Sequence, residues 1–216
     1  MTPEEIFKKI DHTLLSVTAT REEFYALAEE AISVGAASVC VPPNAVSLIK
    51  ERYGERLRVT TVIGFPNGYN STKTKAMETI GAVDDGADEV DMVIAIGKVK
   101  EKDFDYVLRD IRSVRIAAQG KVLKVIVETC LLTEEEKITL CKIVTMAGAD
   151  YIKTSTGFSK AGATIEDVRL FRKHVGPKVK IKAAGGIRTL EDAEKFIKAG
   201  ADRIGASAVI KGYLKK

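Results

Sequence analysis

The chain has 216 residues, 34 of them basic and 30 acidic, for a net charge of +4. That length fits one large domain with a real core, and a composition that is 45% hydrophobic and 30% charged excludes a disordered or fibrous chain. No apolar run nears the ~20 residues of a membrane span, no basic stretch laced with aromatics marks a nucleic-acid surface, and the mild positive excess suits an anionic small molecule.

The opening MTPEEIFKKI reads as a capped amphipathic turn rather than a secretory leader. A first strand follows in KIDHTLL (9–15). The next helix starts at the capping pattern TREE and carries Phe24, Leu27, Ala28, Ala31 and Ile32 on one face, to end at Gly35. Further strands are SVCV (38–41), RVTTVIG (58–64), EVDMVI (89–94), VLKVIVET (122–129), YIKTS (151–155), VKIKAAG (179–185) and DRIGAS (202–207). Glycine recurs between helix and strand: Gly-Ala-Asp stands at Gly86, Gly148 and Gly200, where the C′ position favours a left-handed backbone. Box-like caps recur at Thr133, Thr164 and Thr189. Eight short strands alternating with helices predict an α/β chain: a parallel, closed (β/α)8 TIM barrel, one domain over residues 1–216. An open doubly wound sheet is the rival, but no G-x-G-x-x-G turn follows the first strand.

Strand alternation orients the polar residues. In EVDMV, Val90 and Met92 face the helices, turning Glu89, Asp91 and Val93 inward. In YIKTS, Ile152 and Thr154 face the helices, turning Tyr151, Lys153 and Ser155 inward. In KIKAAGG, Ile181 and Ala183 face out and Lys180 and Lys182 face in. Asp91, Lys153 and Lys182 therefore share a lumen, on strands four, six and seven. Singly, each has a bland structural explanation, such as a satisfied carboxylate, its ion-pair partner or a snorkelling stem. Together they are harder to dismiss. Two lysines on adjacent strands, roughly 6 Å apart at an effective dielectric near 20, repel by about 3 kcal/mol, enough to lower one amine's pKa by about 2 before desolvation is added. A neutral lysine beside a cation is a Schiff-base nucleophile, and a nearby carboxylate can move protons. AAGGIRT (183–189) and RIGASAV (203–209) close the last two strands with glycine-rich turns, where barrels often hold phosphate. The combination points to a phosphorylated carbonyl substrate.

The segments IDHTLL, TTVIGFPNG, EVDMVI, LKVIVET, YIKTSTGF, KAAGGIRT and RIGAS occur in this order over nearly the whole chain. They resemble the deoxyribose-phosphate aldolase family, class I aldolases on a (β/α)8 barrel. The resemblance implies reversible cleavage of 2-deoxy-D-ribose 5-phosphate to D-glyceraldehyde 3-phosphate and acetaldehyde. It makes Lys153 the Schiff-base residue and Asp91 and Lys182 the proton relay. It sets Asp11 and Thr13 against the substrate hydroxyls, and Thr156, Gly157, Gly185, Gly186, Gly205 and Ser207 among the substrate and phosphate contacts. It also implies no cofactor and no metal, and a homodimer or homotetramer.

The chain departs from the family pattern where many members have lysine after TSTG and a second serine after the position of Ser207; here Phe158 and Ala208 stand, with Lys160 two positions beyond Phe158. The C-terminal stretch KGYLKK leaves the role of Tyr213 open. His12 and His174 have no metal spacing and read as structural or surface residues. Cys40 reads as a small buried residue near the lumen. Cys40, Cys130 and Cys141 form no paired pattern, which fits a reducing cytoplasm. Three other functions remain open at this point: another class I barrel aldolase with a different phosphosugar, a barrel isomerase or synthase, and a non-catalytic phosphometabolite binder.

Overall fold

A computed structural model describes residues 1–215. The elements run α1 (Pro3–Phe7), β1 (Ile10–Thr13), α2 (Arg21–Val34), β2 (Ser38–Val41), α3 (Val46–Tyr53), β3 (Val59–Ile63) and α4 (Thr72–Asp84). Then come β4 (Glu89–Val93), α5 (Ile96–Lys100), α6 (Phe104–Ala117), β5 (Val122–Ile126), α7 (Glu134–Met146), β6 (Tyr151–Lys153) and α8 (Ile165–His174). The chain closes with β7 (Lys180–Ala184), α9 (Leu190–Ala199), β8 (Arg203–Ala206) and α10 (Ala208–Leu214). The eight strands form a closed barrel in sequence order, every pairing parallel, with β8 bonded back to β1. All eight strands predicted from the sequence are present, and the open-sheet alternative is excluded.

Local chemistry sets the element ends. Thr20, Thr133 and Thr189 each close a reciprocal capping box with the residue three positions on. Thr164 accepts from the Asp167 N–H without the reciprocal bond, because the Asp167 carboxylate is engaged by Lys137 Nζ at 2.6 Å. α2 stops at Gly35, whose φ of 65° is the left-handed cap that glycine takes without strain.

The apolar core lies between barrel and helices. Val90, Met92, Ile152, Ile181 and Ala183 are fully buried there, as the alternation predicts. On α2, Phe24, Leu27, Ala28 and Ala31 are buried and Ile32 is half-buried. Phe7 of α1 is buried, with the Tyr213 ring edge-on at 5.0 Å. The apolar layer surrounds a lumen that is unusually polar, and the lumen is where the chemistry is concentrated.

Candidate active site

Four basic side chains and three carboxylates meet inside the barrel. Strand register pairs Asp91 with Lys124 and Lys153 with Lys182. Asp91 Oδ1 accepts from Lys124 Nζ at 2.7 Å, and Oδ2 accepts from both Lys153 Nζ at 2.8 Å and Lys182 Nζ at 2.7 Å. Lys182 Nζ also lies 2.5 Å from Asp11 Oδ2. Lys124 Nζ reaches Glu89 Oε2 at 2.6 Å, and Arg203 spans Asp11 and Glu89 at 2.5 and 3.2 Å. The groups are Lys124, Lys153, Lys182 and Arg203 against Asp11, Glu89 and Asp91.

A lumen with four bases and three acids is neutral only when one base gives up its proton, and an unpaired buried charge is costly. The ion pairs single out Lys153. It has one carboxylate at salt-bridge distance, whereas Lys182 and Arg203 have two and Lys124 three. Burial is the largest influence on the Lys153 amine and lowers its pKa; Lys182 adds to the lowering and Asp91 opposes it, leaving the amine below the ordinary lysine value. Lys182 goes the other way: against the penalty of burial, Asp11 and Asp91 push it far above that value. Against the same penalty, Lys124, Lys153 and Lys182 hold the Asp91 carboxyl well below the usual carboxylate range. The expected direction for Lys153 is thus found, with a different leading cause. Repulsion from Lys182 is secondary, because Asp91 sits between the two ammonium positions.

Lys153 is 3% exposed and lines a cavity of about 510 Å³ at the C-terminal ends of the strands. Thr13, Thr156 and Gly157 also line this cavity, and so do Gly185, Gly186, Gly205 and Ser207. Asp91 and Lys182 are fully buried beneath it. Asp11 is the exception among the expected contacts. It is fully buried, takes Ser38 Oγ at 2.8 Å as well as Lys182 and Arg203, and is not part of the cavity wall. Its position at mid-strand in β1, register-paired with Gly205, keeps it in the charged layer below.

The loops above β6 and β7 are locked together by glycine. A side chain on Gly162 would overlap the Gly185 carbonyl, and Ala163 N–H donates to Ala184 O at 3.0 Å. Gly185 has a φ of 86°, which its lack of a side chain permits. Thr156 is held from the other side by Glu128, whose carboxylate accepts the Thr156 Oγ1 hydroxyl at 2.5 Å and the Thr156 N–H at 3.2 Å. Glu128 is buried and left-handed, with φ 56° and ψ 67°, a backbone state costing a non-glycine residue about 1 kcal/mol or more.

Sequence reasoning leaves Lys124, Arg203 and Glu128 unassigned. The alternation that turns Lys153 inward does the same for Lys124 in VLKVI and for Arg203 in RIGA. Glu128 gives no such signal, because it lies past the strand in an irregular turn. Lys180, expected to face inward, is exposed at the N-terminal mouth, with Nζ 5.7 Å from the Tyr151 ring centroid. His12 is buried with Nε2 2.7 Å from Glu30 Oε2, a structural pair as its lack of metal spacing suggested. Cys40 is buried close enough to Lys182, Asp91 and Lys153 for their charges to act on its thiol, whose pKa burial raises.

A buried amine whose pKa is lowered and which faces a cavity, an anchored carboxylate and a second lysine that keeps its proton can form an imine and shuttle protons. A family model described as DeoC/LacD family aldolase matches residues 6–215. A deoxyribose-phosphate aldolase of Clostridium botulinum (strain Alaska E43 / Type E3) is 53% identical over 215 residues, covering 100% of this chain and 97% of the relative. One from Streptococcus agalactiae serotype Ia is 54% identical over 211 residues, covering 98% and 95%. A solved structure described as the unique tetrameric structure of deoxyribose phosphate aldolase from Aeropyrum pernix superposes with a TM-score of 0.91 at 32% identity, covering 99% of this chain and 92% of that one.

Proposed function

The chain belongs to the DeoC/LacD family of aldolases, and from that premise we propose that it is a Schiff-base lyase that reversibly cleaves 2-deoxy-D-ribose 5-phosphate to D-glyceraldehyde 3-phosphate and acetaldehyde. One observation carries this reading beyond family membership. The least-paired lysine of the charged lumen is the one that lines the cavity, and the cavity's walls include the glycine turns after β7 and β8.

Lys153 Nζ attacks the C1 aldehyde of the open-chain sugar and forms a carbinolamine. Lys182 and Asp91 deliver a proton to the departing hydroxyl, which leaves as water and yields the iminium ion. A proton then leaves the C3 hydroxyl, the C2–C3 bond breaks, and its electron pair passes into the iminium as an enamine. C3 becomes the aldehyde of glyceraldehyde 3-phosphate. Protonation of the enamine at C2 and hydrolysis by water release acetaldehyde and the free amine. Asp91 holds both lysines through Oδ2, so one carboxylate relays protons between them. Gly185, Gly186, Gly205 and Ser207 take the 5-phosphate, with Thr13, Thr156 and Gly157 on the sugar. With Phe158 where a lysine is common in the family, the phosphate is held without a cation from that position.

Two or four copies form the working assembly, a reading supported by the Aeropyrum pernix protein's description as tetrameric; light scattering against the 23.5 kDa chain mass reads this out. Free Cys40, Cys130 and Cys141 fit a cytoplasmic setting. Among the described residues no helix is long and apolar enough to cross a membrane. The direct test is turnover of deoxyribose 5-phosphate coupled to detection of glyceraldehyde 3-phosphate. Steady release is the expected result; a folded protein with no turnover contradicts the proposal.

A further inference from the structure

Just past β5 the chain leaves the regular ladder beside the strand that carries Lys153. Val127 N–H donates to Lys153 O at 3.0 Å, and Thr129 N–H donates to Thr154 O at 2.9 Å. In a regular parallel ladder, donors two residues apart meet carbonyls two residues apart; here the carbonyls are adjacent. Glu128 is therefore the extra residue of a bulge, and its left-handed φ of 56° accommodates it. Bulges beside active sites re-aim a side chain. This one turns a buried carboxylate toward the β6 loop, where its hydrogen bonds all go to Thr156.

The carboxylate fixes the direction of one hydroxyl. Thr156 Oγ1 donates its proton to Glu128 Oε2 at 2.5 Å and accepts the Phe158 N–H at 3.0 Å. A threonine hydroxyl has one proton and two lone pairs, so Thr156 is left with a single lone pair and can only accept from a ligand. Thr156 lines the catalytic cavity and also a neighbouring one of about 170 Å³; Glu128 lines only the smaller of the two. Glu128 thus stands behind Thr156 and acts through it.

We infer that Glu128 is a positioning residue for the sugar: it holds the Thr156 hydroxyl as a fixed acceptor, to which a substrate hydroxyl outside the breaking bond donates. The inference rests on the aldolase reading above and deepens it. Without the carboxylate, the hydroxyl rotates and can present its proton where the substrate also presents one. A contact to a part of the substrate that does not react stabilises bound substrate and transition state alike, so its loss raises KM and spares kcat. A merely structural residue does the opposite: its loss lowers the fraction of well-formed sites, and with it kcat, while KM stays.

Cleavage kinetics on deoxyribose 5-phosphate are measured for wild type, Glu128→Gln, Thr156→Val and the double variant. Borohydride trapping of Lys153 with acetaldehyde, which carries no hydroxyl, counts the working sites in each preparation. Glu128→Gln keeps the side chain's shape but sets an amide donor against the Thr156 N–H, which both carboxylate oxygens face at 3.3 and 3.2 Å. KM should rise at least about tenfold, with kcat per trapped site within about threefold of wild type. Thr156→Val should also raise KM. The double variant should exceed the larger single effect by no more than about twofold, because both changes act through one hydroxyl. Glu128→Gly takes the left-handed backbone without strain and removes the carboxylate, so it should give the same rise and keeps the test available if the glutamine variant misfolds. An unmoved KM in the Glu128 variants, or effects that multiply in the double variant, overturns the inference. Absence of deoxyribose 5-phosphate turnover from wild type would instead refute the aldolase assignment.

Discussion

At the scale of single residues, Lys182 is the substitution that separates catalysis from scaffolding. Its Nζ contacts Asp91 and Asp11 and keeps its proton. Lys182→Leu removes a cation that disfavours a second charge on Lys153, and it leaves Asp91 Oδ2 to Lys153 alone. Both changes raise the Lys153 pKa toward that of a free lysine, about 10.4. Activity that needs the neutral amine is lost as pH falls through that pKa, so the acid limb of kcat/KM against pH should move upward. Lost proton transfer adds a deficit that high pH does not restore, and the fall at pH 7 should be at least about 100-fold. An unmoved acid limb with near wild-type rate would make Lys182 a structural residue. Much of this trio is legible in the sequence, because a period of two fixes which way each strand residue points. What is not legible is the weight of each influence. Asp91's position between the two lysines is a tertiary fact, and it is why burial outranks repulsion at Lys153.

At the scale of elements, the loops after β6, β7 and β8 decide what the cavity holds. Strand and helix identities could be read from caps and glycines: Thr20, Thr133 and Thr189 each mark a helix start that forms as predicted. Loop contacts could not. Glu128 bonding Thr156, and Gly162 packed on Gly185, join residues from separate loops with no periodic signal. Asp11 shows a subtler limit. Alternation gives its inward direction but not its depth, and depth puts it in the charged layer rather than on the cavity wall. Ser207 does line the cavity, at the exposed start of α10 with no cap bond of its own. Ser207→Asp places a negative charge where the proposed phosphate sits. The expected loss in kcat/KM for deoxyribose 5-phosphate is at least about 100-fold, nearly 3 kcal/mol at about 1.36 per decade. Unphosphorylated deoxyribose has no such clash and should be turned over nearly as before. Equal losses for both substrates would place the phosphate elsewhere.

At the scale of the whole molecule, a closed barrel lets eight strands from 10 to 206 converge on one interior. That convergence assembles four bases and three acids whose balance no single element contains. Asp11 and Asp91 both ionise more readily than free carboxyls because of the cations around them, while Lys153, with a single carboxylate partner and burial acting against its charge, is the base held below its ordinary pKa. The chemistry therefore turns on one nitrogen atom among four basic groups. Incubation with acetaldehyde followed by borohydride reduction converts an imine to a stable secondary amine, and mass spectrometry of the peptides locates it. A single added ethyl group is expected on Lys153, in the segment spanning 143–160. A label on Lys182 or Lys124 instead, or none under conditions of turnover, would contradict it.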